Sequence, residues 1–190
     1  SQAAFWTVGG ALGAGITASG VDFASLQGDK AVVEIMQRMG ADIAQNADSV
    51  TVNSGATQAT VIDASNCPDI IPVLTVLAAV SEGTTKIINA GRLRIKECDR
   101  LAAMTSELNK MGAEITEEPE GLTITGKPEG LQGGVEVDAW NDHRIAMSLA
   151  IAAQCCAEPI TLTGAGSVSK SYPDFWEDYK SVGGKIEVLA

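Results

Sequence analysis

The sequence predicts an α/β lobe of three repeated units around a pseudo-threefold axis, each with one helix inside, one outside and a mixed sheet between. Three observations carry this. Met39-Gly40-Ala41, Met111-Gly112-Ala113 and Val182-Gly183-Gly184 end three segments alike, and their middle glycines lie 72 residues (40 to 112) and 71 residues (112 to 183) apart. Spacing that regular marks an internal repeat. Each unit opens with a helix apolar on every side, about Ala3 to Ala14, Ile70 to Val80 and Ile145 to Cys156, which must be covered all round. An amphipathic helix follows, which needs cover on one face only.

The remaining elements repeat this grammar. Short alternating strands come after the apolar helices, most clearly at Thr85 to Asn89 and Pro159 to Thr163. In the middle unit Asp99 to Met111 forms the amphipathic helix, with Leu101, Met104, Leu108 and Met111 on its apolar face and Glu107 and Lys110 outward. Glycine then stops the helix. Strands at Glu114 to Thr116 and Gly121 to Thr125 close the unit, and Asp48-Ser49 and Glu120-Gly121 supply hairpin turns. A doubly wound parallel sheet is the other α/β option, but no G-x-G-x-x-G follows a strand and the hairpins favour mixed sheets. The units run over about 1–56, 57–126 and 127–190 of a single lobe, joined by short linkers near Ser54 to Gln58 and Gly126 to Gly134.

Composition narrows the function. With 24 acidic against 13 basic residues the net charge is −11, which excludes nucleic acid or an anionic membrane as the main partner. The uncharged runs Ile70 to Val80 and Ile145 to Ala157 fall short of the ~18 apolar residues of a spanning helix. Cys67, Cys98, Cys155 and Cys156 show no C-x-x-C spacing, so no zinc site and no disulfide framework is expected, and reduced thiols point to a cytoplasmic protein. With no initiator Met and no signal peptide, the chain reads as a piece of something longer.

On this acidic background Arg92, Arg94, Lys96 and Arg100 crowd into nine positions ahead of the Asp99 helix. They are either an anion site at a helix N-terminus, where free N–H groups and the dipole help, or a solvated loop paired with Glu97 and Asp99. The sole histidine, His143, stands in Trp140-Asn141-Asp142-His143-Arg144 at the head of a buried helix, as a filler or as part of a site. Asn141 or Asp142 would cap that helix. Arg144 opposes the dipole there and makes more sense facing an anion. Asp69 reads equally as an N-cap of the other buried helix or as a functional carboxylate. Lys170, Asp99 and Gln27 each lie thirteen residues before a repeat glycine, so they occupy equivalent places. Packing around the axis would gather Asp69, the basic cluster, Arg144 and Lys170 at one end. Such a set of cations and carboxylates suits phosphorylated, carboxylated substrates with proton transfer.

At these residues a family resemblance enters. Arg94-Ile95-Lys96-Glu97-Cys98-Asp99-Arg100 resembles the R-x-K-E-[TS]-D-R segment of the 5-enolpyruvylshikimate-3-phosphate synthase family, and Asn141-Asp142-His143-Arg144-Ile145-Ala146-Met147 resembles its N-D-H-R-x-A-M segment. Ser169-Lys170-Ser171-Tyr172-Pro173-Asp174-Phe175 is similar to its K-[ST]-[FY]-P-x-F segment, and Leu26-Gln27-Gly28-Asp29 and Pro68-Asp69 fit as well. The resemblance covers the family's C-terminal lobe, without the short N-terminal strand segment that returns to it. It implies transfer of the enolpyruvyl group of phosphoenolpyruvate to the 5-hydroxyl of shikimate 3-phosphate, with no metal or organic cofactor and with glyphosate as inhibitor. By the same resemblance Asp69 would contact the acceptor and act as general base, Lys96 would bind shikimate 3-phosphate and hold Asp69, and Glu97 would shuttle a proton at the methylene carbon. Arg100, Arg144 and Lys170 would clamp phosphoenolpyruvate, with His143 in support.

Burial is expected to raise the pKa of the shuttling acid and the surrounding cations to lower it. Cys98 departs from the usual Thr or Ser, and Arg92 is left without a role. The partner is the missing N-terminal lobe, so the chain alone is expected to be inactive. One rival is the enolpyruvyl transferase that acts on UDP-N-acetylglucosamine, disfavoured by the N-D-H-R and K-E-x-D-R segments. The other is an isolated, non-catalytic anion-binding or structural domain of the same fold.

Overall fold

Helix α1 (Ala3–Leu12), strand β1 (Ile16–Ser19), helix α2 (Gly28–Arg38) and strands β2 (Asp42–Gln45) and β3 (Ser49–Asn53) form the first unit in a computed structural model that describes residues 2–21 and 28–189. Gln27 and Leu26 of the sequence motif lie outside the described residues. The second unit runs β4 (Val61–Asp63), α3 (Ile71–Ala79), β5 (Thr84–Ile88), α4 (Arg100–Lys110), β6 (Glu114–Glu118) and β7 (Gly121–Thr125). The third contains β8 (Leu131–Gly133), β9 (Glu136–Asp138), α5 (His143–Ala152), β10 (Cys156–Glu158), β11 (Thr161–Thr163) and α6 (Phe175–Ser181).

The all-apolar helices are the inner ones. Helices α1, α3 and α5 pack against one another about the pseudo-threefold axis. Every residue of α3 is buried, and every residue of α5 except Arg144. Helix α5 starts at His143, earlier than its apolar run, because the Asp142 side chain caps it by accepting from the Arg144 N–H at 2.8 Å.

The sheets grow more parallel from unit to unit. The first, β1-β3-β2, is antiparallel throughout. The second, β4-β5-β7-β6, joins a parallel β4-β5 pair to the antiparallel β5-β7 and β7-β6 pairs, as a mixed sheet should. In the third, β8 pairs with β10 and β9 with β11, both parallel, and Leu131↔Cys156 and Glu136↔Thr161 keep one register. These two short ladders are one ladder interrupted at Pro159, which has no N–H to give. The predicted strand from Pro159 therefore starts at Thr161. No hairpin closes this unit among the described residues.

The repeat glycines take the same conformation in all three units. Gly40, Gly112 and Gly183 have φ of 80°, 106° and 101°, and the N–H after each returns to the helix at Met36 (3.0 Å), Leu108 (3.0 Å) and Tyr179 (2.8 Å). This is a left-handed C-cap that satisfies the last carbonyls of α2, α4 and α6. The lobe is closed by aromatics: Trp6 of α1 stacks on Phe175 of α6 with ring centres 5.3 Å apart, and its indole N–H donates to the Tyr172 hydroxyl.

Two details correct the sequence reading. Glu107 does not face outward, being 2% exposed. Lys170 and Asp99 do not occupy equivalent places, since Asp99 caps α4 whereas Lys170 ends a 3-10 turn ahead of the shorter α6. Pro173 lies between that turn and α6 and delays the helix start.

Left-handed backbone at a non-glycine residue costs about 1–2 kcal/mol. Gly40→Ala, with nothing within 4 Å of the added Cβ, is expected to lose about 1 kcal/mol in urea denaturation. Gly112→Ala is expected to lose more, because its Cβ would sit 3.2 Å from the Gln132 nitrogen.

Candidate active site

Charged groups from three element starts meet in one corner. The 3-10 turn Pro68–Ile70 ahead of α3 brings Asp69, the first turn of α4 brings Arg100 with Lys96 and Glu97 just before it, and the head of α5 brings Asp142, His143 and Arg144. Arg100 is at the centre, 1% exposed, and reaches three carboxylates. Its Nε donates to Asp142 Oδ2 at 2.8 Å, its Nη1 to Asp69 Oδ1 at 3.1 Å, and its Nη2 to Glu97 Oε2 at 2.6 Å and Asp142 Oδ1 at 3.3 Å. Asp142 is wholly buried, while Asp69 and Glu97 remain 45% and 42% exposed. The guanidinium thus has one permanent partner and two at the solvent edge.

Asp69 caps no helix, so the capping alternative falls. Its carboxylate lies 3.3 Å from Lys96 Nζ and 4.0 Å from Arg144 Nη2, and Arg144 Nη1 donates to its main-chain oxygen at 3.0 Å. Partial burial would raise its pKa, but the charges of Arg144, Lys96 and Arg100 prevail and hold it below the ordinary carboxylate range. Asp142 behaves alike: burial pushes up, and Arg100 and the Arg144 N–H pull further down. For His143, 7% exposed with a buried Nδ1 lacking a partner, burial outweighs the Asp142 charge and keeps the ring neutral at pH 7.

The basic run does not act as a block. Arg94 turns away to fasten the β6-β7 turn, donating to the oxygens of Glu118 (2.7 Å) and Pro119 (2.9 Å) and pairing with Glu117 (2.6 Å) and Asp99 (2.9 Å). Arg92 is exposed in an open groove of about 500 Å³ with Ser65, Asn89, Gly91, Ile95 and Glu120. Lys170 comes to the same end of the lobe through Asn141, to whose main-chain and side-chain oxygens its Nζ donates at 2.5 and 2.8 Å. The Cys98 thiol, 3.5 Å from Asp142 Oδ2, is pushed up to about 12 by burial and by that carboxylate, so it stays a thiol. Glu97 is not buried within this chain, contrary to the burial expected of a shuttling acid. Asp142 as the partner of Arg100, and Asn141 as the partner of Lys170, went unread in the sequence; the capping position of Asp142 beside a lone buried-helix Arg was the available signal.

What this corner is can be read against known proteins. The family model described as EPSP synthase (3-phosphoshikimate 1-carboxyvinyltransferase) matches residues 1–179, and the chain belongs to that family. A 3-phosphoshikimate 1-carboxyvinyltransferase of Clostridium kluyveri is 56% identical over 187 residues, covering 98% of this chain and 43% of its own length. The chain thus spans less than half the length of such relatives. The solved EPSP synthase of Acinetobacter baumannii superposes with a TM-score of 0.90 at 32% identity, over 99% of this chain and 46% of that one. The enolpyruvyl transferase NikO of Streptomyces tendae shares the fold, with a TM-score of 0.79 at 24% identity, over 98% of this chain and 43% of its own.

Removing one partner of a buried ion pair costs about 3–5 kcal/mol. Asp142→Asn is accordingly expected to destabilise the chain by ~3 kcal/mol at pH 7. A carboxyl whose folded pKa is depressed stabilises above its unfolded pKa of about 4 and loses that contribution as pH falls further. Urea midpoints should therefore show a constant gap between the two proteins from pH 7 to about 4, closing below it. An anion entering the corner must also displace Glu97 from Arg100, so Glu97→Gln should bind inorganic phosphate several-fold more tightly in an NMR titration; weaker binding would contradict this competition.

Proposed function

We propose that the chain is the C-terminal lobe of an enzyme that transfers the enolpyruvyl group of phosphoenolpyruvate to the 5-hydroxyl of shikimate 3-phosphate, releasing phosphate. The observation that carries it is the meeting of Asp69 and Glu97 with Lys96, Arg100 and Arg144 in one corner. Supporting it are relatives named for that activity and a coverage under half of their length.

In this reading the planar forks of Arg100 and Arg144, with Lys170, take the carboxylate and phosphate of phosphoenolpyruvate. Arg144, at the head of α5, is the one residue of that helix short of full burial, its side chain 14% exposed beside Asp69. Asp69, between Lys96 and the two arginines, accepts the proton of the 5-hydroxyl as its oxygen bonds to the central carbon of phosphoenolpyruvate. Glu97 gives a proton to the methylene carbon, making a tetrahedral phosphoketal, and takes it back as the carbon–oxygen bond to phosphate breaks, while the leaving phosphate carries off the proton that Asp69 accepted. The fixed cations hold the leaving phosphate throughout.

The low pKa of Asp69, with the charges of Arg144, Lys96 and Arg100 around it, marks it as a weak base on its own. Anionic substrates would share the cations that depress it and so strengthen it as a base when it is needed. Neutral His143 fits support by packing and hydrogen bonding in place of charge.

The acceptor phosphate would be held by an N-terminal lobe closing over the corner, so the chain alone is expected to show no turnover. Phosphate release is to be measured with both substrates, first with this chain alone and then with a separately made N-terminal lobe of a relative. Activity only in the mixture, lost in Glu97→Gln, is expected. Turnover by the chain alone, or none in a mixture shown to associate, would reject the proposal.

A further inference from the structure

Helix α4 buries just two ionisable side chains, Arg100 and Glu107, among the described residues. They are seven residues apart, two helical turns, and so lie on one face. That face meets the segment leading into α5. Arg100 grips its end at Asp142, as described above. Glu107 grips its beginning: Oε2 accepts the Asp138 N–H at 2.9 Å and Oε1 the Trp140 indole N–H at 2.9 Å.

Between those two grips the backbone is strained. Trp140 and Asn141 both have positive φ, 54° and 53°, a left-handed conformation that costs non-glycine residues about 1–2 kcal/mol each. Such geometry persists only where its surroundings over-determine it. Here Asp138 Oδ2 accepts the Trp140 N–H at 3.0 Å, Lys170 holds Asn141, and Glu107 fixes the indole and the strand end. The turn decides where Asp142, His143 and Arg144 point.

A carboxylate 2% exposed is an expensive way to fill an edge of a helix that a leucine would fill. Burial acts to raise its pKa, yet the bonds from Trp140, Asp138 and Lys110 leave it lowered, so it is an anion held by donors. Those bonds run to the turn and to Lys110, and none of them reaches the charged corner.

We propose that Glu107 is a positioning residue, which through Trp140 and the Asp138 N–H sets the turn that aims Asp142, His143 and Arg144 into the anion-binding corner. Its effect on ligand affinity rests on the functional reading above; its effect on the turn does not.

The test uses the ¹⁵N-labelled 190-residue chain. Glu107→Gln keeps the side-chain size but turns one acceptor into a donor that faces a donor. Trp140→Phe removes only the indole bond and serves if the first variant does not fold. Gly40→Ala, far from the turn, is the control for general destabilisation. Both α4-turn variants are expected to shift the amide resonances of residues 141–144 and, for Glu107→Gln, the Trp140 indole resonance. Phosphoenolpyruvate affinity by NMR titration should fall about tenfold in Glu107→Gln and be unchanged in Gly40→Ala. Unmoved resonances at 141–144, or moved resonances with full affinity, would overturn the proposal. If the unaltered chain binds no phosphoenolpyruvate, the functional reading fails and the resonances alone decide the role of Glu107.

Discussion

The buried guanidinium of Arg100 is the constraint around which the rest of the structure is arranged. A cation taken out of water needs anionic partners within hydrogen-bond reach, or it costs several kcal/mol. Asp142 supplies the permanent one, and it does so from the cap of α5, so the ion pair joins the head of an outer helix to the head of an inner one. Asp69 extends the joint to α3. Three element starts are thereby fixed at one end of the lobe. In the proposed function, structure and chemistry depend on the same contact.

The hub also explains why the corner is polar without being empty. Arg100 is satisfied by the lobe's own carboxylates, two of them at the solvent edge. In the proposed function these two are placeholders for the incoming phosphoenolpyruvate. A site built this way avoids an uncompensated cation when no ligand is bound, at the cost of affinity when one arrives. The depressed pKa of Asp69 is the electrostatic signature of that self-neutralisation.

Much of the fold was legible because its determinants are local or periodic. The glycines at 40, 112 and 183 had to be left-handed caps, and the all-apolar helices had to be inside, whatever their partners. The site was legible as a cluster but not as a network. Nothing in the sequence says which of Arg92, Arg94 and Lys96 faces which way, since the 3-10 turn over Gly91–Ile95 is too short for its three-residue period to show and Lys96 lies beyond it. Asp142 was explained locally as a cap, which hid its bond to a residue 42 positions away. Glu107 sits at the margin of an amphipathic face, where polarity predicts solvent; what buries it is the Asp138 N–H and the indole of Trp140, visible only in three dimensions. Asp69 shows the opposite case, a good cap by type that the backbone never uses as one.

The aromatic seam between α1 and α6 joins the first unit to the third, and Gln2 reinforces it by donating to the Ser171 oxygen at 3.0 Å. A repeat protein of the stacked kind has two ends, each of which can fray while the middle stands. Here the three units form a ring, and each inner helix touches both others. Melting any one unit strips an interface from both survivors at once, so no unit can be shed at the cost of a single boundary. Such closure favours all-or-none unfolding over stepwise unravelling. It also makes the order of the units along the chain a matter of history more than of mechanics, since a ring has no first member.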